Sequence, residues 1–193
     1  GQMLEVDVLI SATGVKPNIA FLDGSGVAVN AGVLVDTTLQ TSIAGIYAAG
    51  DVAEAVEFGT GLRVVNAIQP DAVEQARIAA LNMAGQSATL PGTFVFNILD
   101  TLGLISASFG QWQGIAGGET AQLLDETRFR YLRLAFDGDR LVGANCIGHT
   151  EHIGVLRGLI QGQVHLGEWK NRLLANPLQL SEAYLARGLA IAH

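Results

Sequence analysis

Cysteine is almost missing from this chain: Cys146 stands alone among 193 residues. One thiol closes no intrachain disulfide and leaves no Cys-x-x-Cys redox pair, which fits a cytoplasmic origin. Its surroundings, Val142-Gly-Ala-Asn-Cys-Ile-Gly148, alternate like a strand, so the thiol reads as a small buried hydrophobe. Basic residues are scarce as well, 11 against 18 acidic ones, giving a net charge of -7. That balance, with no Lys/Arg cluster anywhere, argues against a nucleic-acid partner. Although 49% of the residues are hydrophobic, no apolar run approaches the ~18 residues of a membrane span. Metal-ligand sets are missing too. His149 and His152 lie close together, but no Cys or acidic cluster supplies the further ligands of a zinc site. Capping or surface roles remain for both. No Ser-His-Asp or paired-carboxylate spacing is present, so no residue is assigned as catalytic acid, base or nucleophile.

Against these absences stands Thr41-Ser-Ile-Ala-Gly-Ile-Tyr-Ala-Ala-Gly-Asp51. It reads as a polar turn, a short buried strand over Ile46 to Ala49, and a Gly-Asp pair at the strand's carboxyl end. Open α/β sheets place ligands at that end. Small residues at Ala48, Ala49 and Gly50 let an extended ligand approach the backbone. Asp51 offers a carboxylate that accepts hydrogen bonds from sugar-type hydroxyls. The same residues also read as an ordinary strand ending in a turn. Further on, Gln69 to Gly85 predicts a helix. Pro70 suits its first position, Asp71 complements its positive end, and Gly85 supplies a stop. Val73, Ala76, Ala80 and Met83 form an apolar stripe at helical spacing. Near the beginning, Val6 to Ser11 reads as another strand, running into Ala12-Thr-Gly-Val-Lys-Pro-Asn18.

In order, Ala-Thr-Gly-x-x-Pro-Asn, Thr-Ser-x-x-x-Ile-Tyr-Ala-Ala-Gly-Asp and Gln-Ala-Arg-x-Ala-Ala-Leu-Asn-Met-Ala-Gly resemble one family. It is the FAD-dependent pyridine-nucleotide oxidoreductases, in the branch of rubredoxin reductases, NADH oxidases and the flavin module of NADH-dependent nitrite reductase. The resemblance covers roughly the first half of the chain. It implies that Asp51 hydrogen-bonds the ribityl hydroxyls of FAD, with Gly50 allowing close approach. It also implies that N–H groups around Ala72 and Val73, at the helix start, face the pyrimidine edge of the flavin. Such enzymes carry two Gly-x-Gly-x-x-Gly turns, one per dinucleotide. Gly24-Ser-Gly26 and Gly59-Thr-Gly61 lack the third glycine and read as ordinary turns. The expectation is therefore the C-terminal portion of a longer flavoprotein, with an FAD site incomplete in this chain and NAD(P)H used by the whole enzyme. In fold terms that is α/β plus α+β. Residues 1–92 form a partial Rossmann-like FAD-binding segment with the end of the NAD(P) domain, and residues 93–193 an α+β interface-type domain.

The second half carries its own pattern. Pro91-Gly92 closes the helical region, and Thr93 to Ile98 and Ile105 to Phe109 read as strands. Phe129 to Phe136 and Leu141 to Ile147 read as a β-hairpin around Asp137-Gly-Asp139. Three helical stretches follow, marked by Ile153, Leu156 and Ile160, by Trp169 and Leu173, and by Ala183 to Ala190. Asn176-Pro177 separates the last two. Strands followed by helices indicate α+β, and the order of elements resembles the C-terminal interface domain of the same family. Trp112 and Trp169 read as core or interface residues, Arg63 and Arg77 as solvated or salt-bridged. Asn176-Pro-Leu-Gln-Leu-Ser-Glu-Ala183 is similar to the His-Pro-Thr-x-Ser-Glu-Ala segment of the disulfide reductase branch. Here Asn176 takes the histidine's place, with one extra residue before Glu182. An amide shuttles no proton near neutral pH. The segment supplies no disulfide-reductase base, which leaves Glu182 as a first-turn helix carboxylate with Ser181 near the cap.

Two function classes follow. One is a fragment of an NAD(P)H-dependent FAD oxidoreductase that passes electrons to an acceptor. The other is a non-catalytic module for assembly or for docking an electron partner. Strands without neighbours expose unpaired edges, so self-association as a homodimer is expected in either case. The remaining partners are the upstream segments of the longer enzyme and the electron acceptor.

Overall fold

Buried polar side chains, more than a long sheet, organise the first ninety residues. The computed structural model describes residues 3–191, with side chains to residue 187. The chain divides into two units, Gly1–Glu54 with Val65–Thr89 and Ala55–Val64 with Leu90–His193. In the first unit, β1 (Val33–Leu34) pairs in parallel with Ala53 and Glu54 of β2 (Ala53–Val56). Val33, Val35, Leu39 and Ala53 are buried around this pair. Glu54 is buried with them. Its Oε1 accepts from Asn30 Nδ2 at 2.9 Å and its Oε2 from the Gly32 N–H at 2.9 Å. Hydrogen bonds of this kind offset the cost of desolvating a carboxylate.

Helix α1 (Gln69–Met83) has Pro70 in its first turn, and Gly85 follows at φ 77° as the stop. Its inward face is not the expected apolar stripe. Asp71, Gln75, Ile78 and Ala79 are buried, whereas Val73 is 59% and Met83 69% exposed, and Ala76 and Ala80 are exposed too. Polar residues win the inner face because each finds partners there. Asn82 Nδ2 donates to the carbonyls of Thr38, Ile78 and Ala88, and its Oδ1 accepts from the Ala88 N–H. Two expected strands also fail to form. Residues 6–11 join no ladder, and Leu9 is 87% exposed; an extended apolar stretch becomes a strand only beside a neighbour that takes its hydrogen bonds. Ile46 to Ala49 makes a single bridge, between Tyr47 and Gln40, and Ile46 is 45% exposed. The buried strand forms a few residues later, as β2, where Ala53, Glu54 and Ala55 are all buried.

In the second unit, Ala55 and Val56 pair antiparallel with β3 (Arg63–Val64). A five-stranded antiparallel sheet then follows. It consists of β4 (Phe96–Thr101), β5 (Leu104–Gly110), β6 (Glu119–Asp125), β7 (Arg130–Asp137) and β8 (Arg140–Ile147), in the order β4-β5-β8-β7-β6. The expected hairpin is β7–β8, closed by Gly138 at φ 57°. Phe129 stays outside it, in a left-handed conformation. One face of the sheet presents Ala107, Phe109, Leu132, Leu134, Phe136, Ala144 and Cys146 to the core. Three helices complete that core: Leu156, Leu159 and Ile160 from α2 (Ile153–Gln161), Leu173 from α3 (Glu168–Ala175), and Leu180 and Ala183 from α4 (Leu180–Ile191). Burial pushes the Cys146 thiol up from its ordinary pKa, the signature of an inert structural cysteine. Since α4 starts at Leu180, Ser181 and Glu182 lie inside its first turn, and Ser181 Oγ sits 3.3 Å from His152 Nδ1.

The β7–β8 turn is clamped to the α2–α3 connection. Asp139 Oδ1 accepts from the His165 ring Nδ1 at 2.8 Å, and Oδ2 accepts from the Gly167 N–H at 3.1 Å. The His165 hydrogen bond first, and the Gly167 N–H next, hold the Asp139 carboxyl below the usual carboxylate range. A lowered carboxylate contributes stability above its unfolded pKa of ~3.9 and loses it as pH falls through the folded value. Asp139→Asn is therefore expected to lower the midpoint of thermal unfolding near neutral pH. The gap from the parent chain should begin to narrow as the pH drops below about 4 and close below the lowered folded value. Melting curves across that range check it, and a gap independent of pH would refute the assignment.

Candidate functional site

The Gly-Asp pair forms a single helical turn, Gly50–Val52, entered from extended Ala49 (φ -147°, ψ 157°). Gly50 is buried, with φ 75°. That left-handed conformation favours glycine, and space demands it as well: a Cβ here would lie 3.2 Å from Ala72 Cβ. The Gly50 N–H donates to Gln75 Oε1 at 2.8 Å, and Gln75 Nε2 donates to Asp71 Oδ2 at 2.7 Å. The turn is thereby seated on the first coils of α1. Asp51, next in sequence, is exposed, and its carboxylate has no hydrogen-bond or ion-pair partner among the described residues. An open acceptor beside a backbone free of bulky side chains suits a hydroxyl-bearing ligand.

Three of the four residues singled out by sequence, Gly50, Asp51 and Ala72, thus lie together, and Val73 follows on the exposed side of α1. The expected donors are placed differently. The Ala72 N–H makes a helical bond to the Ile68 carbonyl at 3.1 Å, and Val73 lies one residue deeper in the helix. Pro70 brings no N–H, so the first turn of α1 offers its backbone donors before Ala72, as at Gln69. Ala72 serves instead as the small neighbour that Gly50 packs against. Sequence reasoning overlooked Gln75. Its one visible signal was the spacing Asp71–Gln75, which places an amide one helical turn from a carboxylate.

Other polar candidates have structural partners. His149 is 4% exposed, and its Nδ1 lies 3.3 Å from Glu151 Oε1, which Arg130 Nη1 approaches at 3.7 Å. The Glu151 backbone N–H first, then the His149 ring, hold the Glu151 carboxyl below its usual range. His152 occupies the N-cap position of α2. Among the described residues no group of His, Cys, Asp and Glu is arranged to hold a metal ion, and no helix is long and apolar enough to cross a membrane. Arg77 pairs with Glu74 at 3.0 Å, and Arg172 stacks over Trp169 at 4.5 Å. Gly59-Thr-Gly61 is a turn bound to Glu57, whose carboxylate accepts from the Gly59 and Thr60 N–H groups.

The described residues form a mixed α/β chain in which a Gly-Asp turn is seated on the start of a helix. Residues 1–84 match the model of the pyridine nucleotide-disulphide oxidoreductase family. The chain is 36% identical, over 190 residues, to the NADH-dependent phenylglyoxylate dehydrogenase subunit epsilon of Aromatoleum evansii, an alignment spanning 97% of this chain and 45% of the relative. The nitrite reductase [NAD(P)H] of Bacillus subtilis is 28% identical over 92% of this chain, which spans 22% of it. Among solved structures, the NAD-dependent persulfide reductase from A. fulgidus superposes with a TM-score of 0.72 at 26% identity, covering 81% of this chain and 33% of that one. The chain therefore spans less than half the length of these relatives.

Proposed function

We propose that this chain supplies the ribityl-contacting end of an FAD site in an NAD(P)H-dependent oxidoreductase that passes electrons to a further acceptor. The observation that carries the reading is the exposed, unpartnered Asp51 carboxylate, held on the Gly50 turn against α1. The residues present fit one end of that cofactor. Gly50 leaves no side chain in the way, Asp51 accepts from hydroxyls, and the α1 start brings a partial positive charge. Hydride uptake from a nicotinamide and onward electron delivery are chemistry that a bound flavin supplies. The protein's own share is to bind, orient and provide field. A helix start stabilises neighbouring negative charge by ~0.3–1 kcal/mol when exposed, and by up to ~2 kcal/mol when partly buried. On this reading residues 1–92 are the flavin-binding portion, with the end of the nicotinamide domain, and residues 93–193 the interface-type domain of a longer enzyme.

Two measurements test it. Alone, the 193-residue chain is expected to bind FAD more weakly than about 1 μM, because none of the Gly-x-Gly turns described opens a helix to take the pyrophosphate. Equilibrium dialysis giving a tighter constant would overturn that expectation. In a full-length enzyme containing this segment, Asp51→Ala should cost about 1.5–3 kcal/mol of flavin affinity through loss of charged acceptor bonds. The variant would then purify partly free of flavin. Full occupancy, read from the visible absorption band, would remove Asp51 from the site.

A second reading makes the chain an assembly or electron-partner docking module that acts as a homodimer. It is favoured by apolar side chains left outside the second unit's core: Ile98, Leu99, Leu124 and Phe129 are 45%, 55%, 61% and 71% exposed. Burying ~800 Å² per partner is the scale of a stable interface. Light scattering is expected to give twice the mass of one chain, and a stable monomer at micromolar concentration would refute this reading.

A further inference from the structure

We propose that Gln75 is a positioning residue, whose amide clamps the Gly50–Asp51 turn to the first turn of α1. Only the last step, from the turn to a bound flavin, rests on the function proposed above. Gln75 is 1% exposed, and both ends of its amide are committed in opposite senses. The carbonyl oxygen accepts from the Gly50 N–H at 2.8 Å, and the NH2 donates to Asp71 Oδ2 at 2.7 Å. Gly50 needs that acceptor. It is buried, it lies in the left-handed region, and it starts a single turn too short to satisfy its own N–H.

Few side chains meet this specification. Leucine fills the space but leaves the buried Gly50 donor without its acceptor and takes one donor from the Asp71 carboxylate. Glutamate has the reach but, when ionised, presents acceptors to both sides and a negative charge to Asp71. Near neutral pH a carboxamide of this length supplies both an acceptor and a donor. The backstop is Ala72, whose Cβ closes the remaining space above Gly50. Gly50 is bonded directly to Asp51, so fixing the first fixes where the second residue's carboxylate emerges. The turn is then ordered before any ligand arrives, and binding does not have to supply the ordering entropy. The charged group that Gln75 hydrogen-bonds is Asp71 on its own helix, while Glu74 and Arg77 pair with each other on the exposed side.

The test uses the 15N-labelled 193-residue chain and follows hydrogen exchange at the Gly50 amide. In Gln75→Leu the Gly50 amide should exchange roughly 10-fold faster, the effect of an unmade buried hydrogen bond, while amides of the second unit keep their rates. Gln75→Glu adds a signature that simple space filling does not produce. At low pH the neutral acid has both a donor and an acceptor, and Gly50 protection should return. As pH rises and the introduced carboxyl ionises against Asp71, protection should fall, while the parent chain stays flat. If Gln75→Leu does not fold, this pH profile decides by itself. Unchanged Gly50 protection in both variants, or a Gln75→Glu profile as flat as the parent's, would overturn the proposal. FAD added to millimolar concentration is the probe for the last step. It should move the Gly50 and Asp51 signals of the parent chain, with the Gln75→Leu curve displaced roughly 10-fold to weaker binding. If FAD moves neither signal, the flavin reading of Asp51 fails, and the exchange data still decide what Gln75 does.

Discussion

Phe136→Ala is expected to be the most damaging single truncation, costing the second unit about 3–5 kcal/mol of stability. Phe136 is fully buried in β7, next to a break in register against β8, and it faces the core shared with the helices. Its ring is held where strand hydrogen bonds limit how far the backbone can close over a cavity. The lost transfer energy therefore adds to a void that stays open. Trp112 and Trp169 both belong to the second unit, so their fluorescence during denaturant unfolding reads the affected unit directly. A change below about 1 kcal/mol would mean that the core collapses around the gap.

The other large effect comes from adding atoms. Gly143 lies in β8 opposite Gly110 of β5 and Ala135 of β7, and the Gln111–Trp112 backbone crosses directly over it. A Cβ at Gly143 would stand 2.2 Å from the Gln111 carbonyl oxygen and 2.6 Å from the Trp112 nitrogen. Both are main-chain atoms, so no flexible side chain can move aside. Gly143→Ala should therefore cost about 3 kcal/mol, the upper end of ordinary overpacking, and lift the crossing segment from the sheet. Trp112 emission is expected to shift to the red along with the loss of stability. A variant as stable as the parent, with unshifted emission, would contradict the close approach.

How much of this was legible in the sequence depended on whether a residue's neighbours were local. The β7–β8 hairpin was readable because Asp137-Gly-Asp139 sets the turn and the flanking residues have strand composition. The helix from Gln69 was readable from Pro70 and Gly85. β6 was not, since Glu-Thr-Ala-Gln-Leu-Leu-Asp buries only Ala121 at a sheet edge, too little apolar signal for a period of two. Val6 to Ser11 failed in the opposite direction, with strand composition but no partner strand among the described residues. The site divides the same way. The turn at Gly50 and Asp51 was readable from residue type and order, whereas the inner face of α1 was misassigned, because hydrophobic periodicity says nothing about a glutamine or asparagine that meets its partners only in the folded chain.

The burial of Cys146 gives the second unit an internal clock. It is the sole thiol in the chain, 1% exposed on the central strand β8, and out of reach of alkylating reagents until that sheet opens. The rate at which a thiol-reactive dye labels the native protein then reports the opening frequency of one identified strand. The same reagent applied to Phe136→Ala or Gly143→Ala would convert each loss of stability into a labelling half-life, without an engineered probe.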